Sequence, residues 1–278
     1  IQNALEADDS YFLPVCNFEF PITIGEQSSL VWGQRSWLQA TEVPADPIFL
    51  GNFEDRAHFA FDVGNLGAPA EAFGLTGVGE FFGLRKLASL LSPVEAAMAA
   101  QARSVLEWHR RHRFCPGWGN PSVYRNGGTS RHCPQCQTDH FPRIDPVAIV
   151  LVTSGERCLL GRSGKFGSTL YSALAGFVEQ GESIEEAARR EIKEESGIEV
   201  GEVTYVASQP WPFPYSLMVG CYGEALSETI VLDEEELVDA RWFTKDHLRT
   251  ALEGTTDDLR VPGRLAIARY LIEKWVAQ

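Results

Sequence analysis

The sequence predicts an α+β protein whose C-terminal half is an α/β/α sandwich, and three observations lead there. From residue 146 onward, β-branched runs alternate with amphipathic helical stretches, the order expected of strands layered between helices. The first ninety residues instead carry short apolar runs broken by Gly, Pro and Asp, which suits a small β-rich domain. Between the two lies a segment with little periodicity and three clustered cysteines. The implied boundaries are 1–111 for the N-terminal domain with its closing helix, 112–143 for the cysteine segment and 144–278 for the C-terminal domain.

Taken in order, "PITI" and "HFAFDV" are the clearest strand candidates of the first domain. "LSPVEAAMAAQARSVLEWHRRHRF" is a helix: Ser92 suits the N-cap, Pro93 the first helical position, and Glu95 completes a capping box. Met98, Ala102, Val105, Leu106 and Trp108 give it an apolar face, read as core. In the last domain "DPVAIVLVTS" is a strand and "RCLLGRS" its hairpin partner. "EVTYVASQPW", "SLMVGCYGEA" and "DARWFT" are further strands, and "GRLAIARYLIEKWVA" is an amphipathic helix.

A formal charge of −14 argues against a general nucleic-acid binder, because phosphate neutralisation needs clustered Lys and Arg. No stretch approaches the eighteen or so apolar residues of a membrane span. The opening "IQNALEADDSYF" lacks the order of a secretory signal. The cysteines, at 16, 115, 133, 136, 158 and 221, are mostly scattered, which suits a reduced cytoplasmic compartment better than a disulfide scaffold.

The strongest chemical signal is "GFVEQGESIEEAARREIKEESGI", residues 176–198. Ser183 and Glu186 form a second capping box, and Gly197 suits a C-terminal stop. Within that helix Glu191, Glu194 and Glu195 stand at i, i+3 and i+4, so three carboxylates share a face and repel one another. A hard cation such as Mg²⁺ removes that penalty, while Ala187, Ala188 and Ile192 give the opposite side something to pack.

This stretch resembles the Nudix hydrolase signature, G-x5-E-x7-R-E-U-x-E-E-x-G-U with U apolar. Gly176, Glu182, Arg190, Glu191, Ile192, Glu194, Glu195, Gly197 and Ile198 fill it. Seven fixed residues arise by chance in such a chain with odds on the order of one in a million. The resemblance implies a Nudix fold in the C-terminal domain and attack by an activated water on a nucleoside diphosphate linked to another group. It implies Mg²⁺ or Mn²⁺ held by Glu191, Glu195 and the carbonyl of Ala175, with Glu194 a further catalytic candidate. Which glutamate is the base varies in the family and stays open. Arg190 is expected to orient Glu182.

Downstream, "SQPWPFPYSLM" matches the S-Q-P-W-P-F-P-x-S-L-M array of NADH pyrophosphatases within the superfamily, with Tyr215 at the free position. On residues alone it would be a Pro-stiffened turn with buried aromatics. The resemblance extends over residues 84–278 and is loose before that. It assigns Glu236 as the third metal-binding glutamate, leaving Asp233, Glu234 and Glu235 as solvated charge. Phe177 matches an aromatic that stacks on the nicotinamide side, and Phe141 one that reaches the site from a second subunit, which implies a homodimer. Gln209, Pro210, Trp211, Pro212, Phe213, Pro214, Tyr215 and Ser216 would wall the dinucleotide pocket, Ala268 would line it, and Arg85 matches a basic substrate contact.

"HRFCPGWGN" and "HCPQC" resemble the family's zinc ribbon with one ligand missing: Cys115, Cys133 and Cys136 are present, and Trp118 stands where the fourth cysteine belongs. Structural zinc is almost always four-coordinate. Three readings stay open: His132 or His140 completes the site, water or an outside group does, or the site is empty and Trp118 packs as an apolar plug. The balance falls toward no tightly held Zn²⁺, and in each case the ribbon is structural.

The implied activity is hydrolysis of NADH or NAD⁺ to nicotinamide mononucleotide and AMP. Removal of NAD caps from RNA is the alternative, for which Arg110, Arg111, Arg113 and Arg125 could supply a local basic patch. A broader dinucleotide or ADP-ribose pyrophosphatase is a third reading. A non-catalytic nucleotide sensor is a fourth, disfavoured because every box glutamate is present.

Overall fold

The computed structural model describes residues 1–23, 25, 28–40, 46–164 and 167–278. Ile24 of the expected "PITI" strand lies outside them. The chain divides into two compact units: Ile1–Arg143 with Pro212–Tyr215, and Ile144–Trp211 with Ser216–Gln278. The cysteine segment falls inside the first.

The first unit is β-rich. The strand Arg56–Asp62 is central to one three-stranded sheet, parallel to Tyr11–Val15 and antiparallel to Ile48–Phe53. Glu19–Thr23 is central to another, between Ser29–Leu30 and Gly79–Gly83. The helix Pro93–Arg111 starts at the expected capping box and buries Ala99, Ala102 and Leu106 in a core shared with Leu13, Phe20 and Ile48. Glu95 also accepts the Leu30 backbone N–H at 2.8 Å, so the cap fastens helix to sheet. Two polar residues are buried on this helix as well. Glu107 pairs with Arg111. His109 lies between the Gly128 carbonyl at 2.7 Å and Arg131 at 3.1 Å, stacked on Tyr124. Burial, reinforced by the Arg131 charge, pushes its pKa down to about 4, so the ring is neutral at pH 7.

The second unit is the expected sandwich. Its sheet runs Val200–Trp211, Ser216–Ala225, Asp145–Ser154, Arg157–Arg162, Asp239–Thr244, with Leu174–Phe177 paired to Asp145–Ser154. The central strands Asp145–Ser154 and Ser216–Ala225 are parallel, and Arg157–Arg162 returns as the predicted hairpin. Alternation along the central strand sorts the two cores. Ala148, Val150 and Val152 face the helix Ile184–Ser196, meeting fully buried Ala187, Ala188 and Ile192. Ile149 and Leu151 face the C-terminal helix, meeting Ile267, Leu271 and Ile272.

Helix Ile184–Ser196 begins at Ser183, with both capping-box bonds formed, and ends at Gly197, whose φ of 71° is the left-handed stop glycine allows. The C-terminal helix is shorter than its sequence pattern, Ile267–Val276, because Pro262 and Gly263 precede it and Ala266 has no side chain to cap it. Gln209, on a neighbouring strand, does that work: its Oε1 accepts the Ile267 N–H at 2.9 Å and its Nε2 donates to the Leu265 carbonyl at 2.7 Å.

Candidate active site

A cleft of about 700 Å³ opens in the second unit. Its floor is apolar, from Ile149, Leu174, Met218 and Ile267, and its rim carries Ala175, Glu195, Glu235 and Glu236. Gln209, Trp211 and Ala268 line it too, so residues of both sequence motifs share one cavity.

The helix Ile184–Ser196 presents its carboxylates at three levels of exposure. Glu195 is only 5% exposed. Burial, with Glu236, Glu191, Asp233 and Glu194 adding negative charge, pushes its pKa up to about 8. Glu191 is largely buried and shifted in the same direction, by burial first, against the pull of Arg190. Glu194, 59% exposed, turns to Arg190 at 3.0 Å, and neither it nor Glu191 is among the residues lining the cleft.

Arg190 is the brace of this face. Its Nε and Nη2 donate to the two Glu182 oxygens at 2.5 and 2.8 Å. Its Nη1 reaches Glu191 at 2.8 Å, and Nη2 also donates to the Phe177 carbonyl at 2.9 Å. Glu182 in turn accepts the Glu179 N–H at 2.9 Å. With Arg190 as the main cause, its carboxyl falls to about 2. Glu182 is therefore a fixed anion paired with Arg190 through both of its oxygens. Gly176 completes the arrangement: a Cβ there would lie 1.8 Å from the Glu191 carboxyl carbon.

The remaining sequence candidates are dispersed. Pro210 is exposed, and Ser216 pairs with Trp211 and Asp145 at the mouth of its strand. Pro212, Phe213, Pro214 and Tyr215 belong to the first unit. There Arg85 and Arg103 stack on Phe213 at 4.4 and 4.8 Å, and Arg143 on Tyr215 at 5.5 Å. Phe177 is 59% exposed and does not line the cleft, and Phe141, 68% exposed, lies in the first unit. Glu235 is exposed, as expected of solvated charge, and is also among the residues lining the cleft. The apolar floor and the hydroxyls of Ser163 and Ser172 had no sequence signal beyond ordinary strand and loop composition.

Cys115, Cys133 and Cys136 converge in the first unit, their sulfurs all within 4.8 Å of one another. They are the only such trio of ligand-type side chains among the described residues, and the glutamate oxygens of the cleft are not drawn that close. Trp118 is 70% exposed, so it is not the apolar plug that one reading supposed. His132 is held by Asp139 at 2.7 Å, and neither it nor His140 joins the sulfurs. The trio thus has no protein donor in the fourth position among the described residues.

The NUDIX domain family matches residues 142–261. The NADH pyrophosphatase-like rudimentary NUDIX domain matches residues 20–108. NAD-capped RNA hydrolase NudC of Stutzerimonas stutzeri is 39% identical over 245 residues, covering 88% of this chain and 83% of that protein. The chain belongs to the Nudix family. Human NAD-capped RNA hydrolase NUDT12 is 47% identical over 197 residues, 67% of this chain. This Nudix chain spans only 43% of that relative's length in the match. Human mitochondrial NAD(P)H pyrophosphatase NUDT13 is 38% identical over 253 residues, 83% of this chain and 71% of that one. Nudix enzymes use divalent metals, which accords with a carboxylate-rimmed cleft. No helix among the described residues is long and apolar enough to cross a membrane.

Proposed function

We propose that this Nudix domain hydrolyses the pyrophosphate of NADH or NAD⁺, giving nicotinamide mononucleotide and AMP. The observation that carries the reading is the lining of one cleft by the box residue Glu195 and by Ala175 just before the box, together with Glu236 and the array residues Gln209 and Trp211. We assign Glu191, Glu195, Glu236 and the Ala175 carbonyl as holders of Mg²⁺ or Mn²⁺. The donor set fits a hard cation: all are oxygens, and burial, with neighbouring carboxylate charge adding to it, raises the pKa of Glu195 and Glu191. When bound, the cation polarises phosphoryl oxygens and lowers the pKa of water.

The chain's own contribution is positioning and exclusion. Arg190 keeps Glu191 aimed, and the apolar floor supplies a dry, low-dielectric wall for a dinucleotide base. Trp211 offers a flat surface in that wall. Gln209 fixes the start of the C-terminal helix, and through it Ala268, rather than spending its amide on the ligand. Relatives are named for NAD-capped RNA and for NAD(P)H, so we take capped RNA as a second substrate class for the same residues. The family position of Phe141, which is 68% exposed, supports a homodimer, and six free thiols accord with a reducing compartment such as the cytoplasm.

The test is chromatographic product analysis of NADH incubated with Mg²⁺, beside Glu195→Gln. AMP and reduced nicotinamide mononucleotide from the wild type alone are expected. Absence of product despite measurable NADH binding would turn the reading to a nucleotide sensor.

A further inference from the structure

The two turns that carry the clustered cysteines share one backbone, although only one of them has both its sulfurs. In each, the first cysteine carbonyl accepts the N–H four residues on, from Gly119 to Cys115 at 2.8 Å and from Gln137 to Cys133 at 2.9 Å. In each, the first cysteine N–H donates to the carbonyl five residues on, Asn120 at 2.8 Å and Thr138 at 2.9 Å. Gly119 and Gln137 both take the left-handed conformation, with φ of 70° and 60°. Trp118 therefore stands in its turn where Cys136 stands in the other. The knuckle backbone is complete twice over, and one sulfur is missing.

The three remaining sulfurs are set around a common centre. They lie within 4.8 Å of one another, and those of Cys115 and Cys136 stand 3.7 Å apart. Three thiolates bonded to one cation at about 2.3 Å would stand about 4 Å apart. The N–H groups of Gly117 and Trp118 donate to the Cys115 sulfur, and the backbone and hydroxyl of Thr138 donate to that of Cys136. Such donors fix the direction of a metal-binding sulfur. Cys115 and Cys133 are buried, whereas Cys136 is partly exposed and gives an ion its way in. All three are free thiols.

Zinc, which the family's ribbon implies, does not fit this set. Structural zinc takes four ligands, and the fourth belongs at residue 118, where an indole offers no donor and is 70% exposed. Zinc with three protein ligands and a water is the pattern of a catalytic centre, and these cysteines do not line the cleft. A soft monovalent cation has a different requirement. Three polarisable thiolates fill a trigonal shell around it, and a fourth would add negative charge with nothing to offset it. We propose that Cys115, Cys133 and Cys136 form a three-sulfur site for a soft monovalent cation of the copper(I) class, in place of structural zinc. Bound there, the ion fastens the turn at Cys115 to the turn at Cys133 and Cys136 and stabilises that fold by mass action.

The experiment uses the full chain, stripped of metal under reducing, oxygen-free conditions and loaded with copper(I) or with zinc. Affinities are read by competition with a chelator, and X-ray absorption at the copper edge counts the sulfurs around the ion. The wild type should hold a single copper(I) in a shell of three sulfurs. Trp118→Cys should tighten zinc by about tenfold or more and change copper(I) affinity by less than about threefold. Cys136→Ser, at the partly exposed corner, should weaken copper(I) by about tenfold or more. Copper(I) held equally by the wild type and Cys136→Ser would overturn the proposal. Fewer than three sulfurs around copper in the wild type would overturn it too, and that measurement needs no variant to fold. Zinc held as tightly by the wild type as by Trp118→Cys would overturn it by revealing a fourth donor and an ordinary zinc site. A gain in copper(I) affinity from Trp118→Cys equal to the gain for zinc would refute the trigonal preference.

Discussion

Replacing Gly176 by alanine should separate activity from stability in a way that tests the geometry of the site. Residue 176 lies opposite Ala148 in a short strand, and a methyl there would sit 1.8 Å from the Glu191 carboxyl carbon. The three nearest atoms all belong to that carboxylate and none to backbone, so the far end of a flexible side chain gives way. Restoring an ordinary contact of 3.4 Å requires the carboxylate to retreat by about 1.6 Å. It would then leave its 2.8 Å bond to Arg190 and its place beside Glu195. Misplacement of a positioned group by about 1 Å costs on the order of a hundredfold in rate. We therefore expect kcat to fall about a hundredfold and the Mg²⁺ requirement to rise. The melting temperature should move only a few degrees, because alanine also restricts the unfolded chain. Steady-state NADH hydrolysis, a metal titration and a thermal melt measure the three quantities. A kcat within threefold of wild type would mean that the position of Glu191 does not matter to catalysis, and the argument would fail.

Three further outcomes follow from other parts of the structure. Because Glu195 has a folded pKa near 8, well above the ordinary glutamate value, the folded state binds more protons than the unfolded one between those limits. Metal-free protein should thus lose stability, on the order of a few kcal/mol, as pH rises from about 4.5 to 8. Glu195→Gln should flatten that slope in melts run with a chelator, and a slope unchanged by the substitution would refute the assignment. Ile192→Ala, at a site with no exposure between helix and sheet, should cost about 2–5 kcal/mol in denaturant unfolding, and a loss below about 1 kcal/mol would contradict the packing. Trp118→Cys removes an exposed side chain and completes four thiolates, so zinc should resist a chelator at least tenfold longer than in wild type, whereas equal rates would reveal a fourth ligand already present.

The sequence made the second unit legible because its signals are local and redundant. Capping boxes at Ser92 and Ser183, the stop at Gly197 and the two-residue alternation through Ala148, Ile149, Val150 and Leu151 each act over a few residues and agree with one another. What stayed hidden depends on partners remote in the chain. Nothing near Ala266 foretells that Gln209, 58 residues from Ile267, caps the last helix. Nothing near His109 announces that a polar ring on an apolar helix face is satisfied by Gly128 and Arg131. The β-rich first unit was legible only in outline, since its parallel pair joins Tyr11–Val15 to Arg56–Asp62 across a long stretch of chain.

The box shows a subtler limit, because a residue fixed by motif need not carry chemistry. Gly176 supplies room, Gly197 ends a helix, and Glu182 and Arg190 form a brace; four of the seven fixed positions thereby shape the face on which the others act. Of the three remaining glutamates, Glu194 turns outward to the brace and only Glu191 and Glu195 are withdrawn from solvent. Desolvating both on one helix face is unfavourable unless something positive is supplied, and Arg190 already spends its charge on Glu182. The motif therefore encodes a deliberate electrostatic deficit, held open by a scaffold too well packed at Ala187, Ala188 and Ile192 to relax it. That deficit is what a divalent cation and the phosphates it escorts would fill.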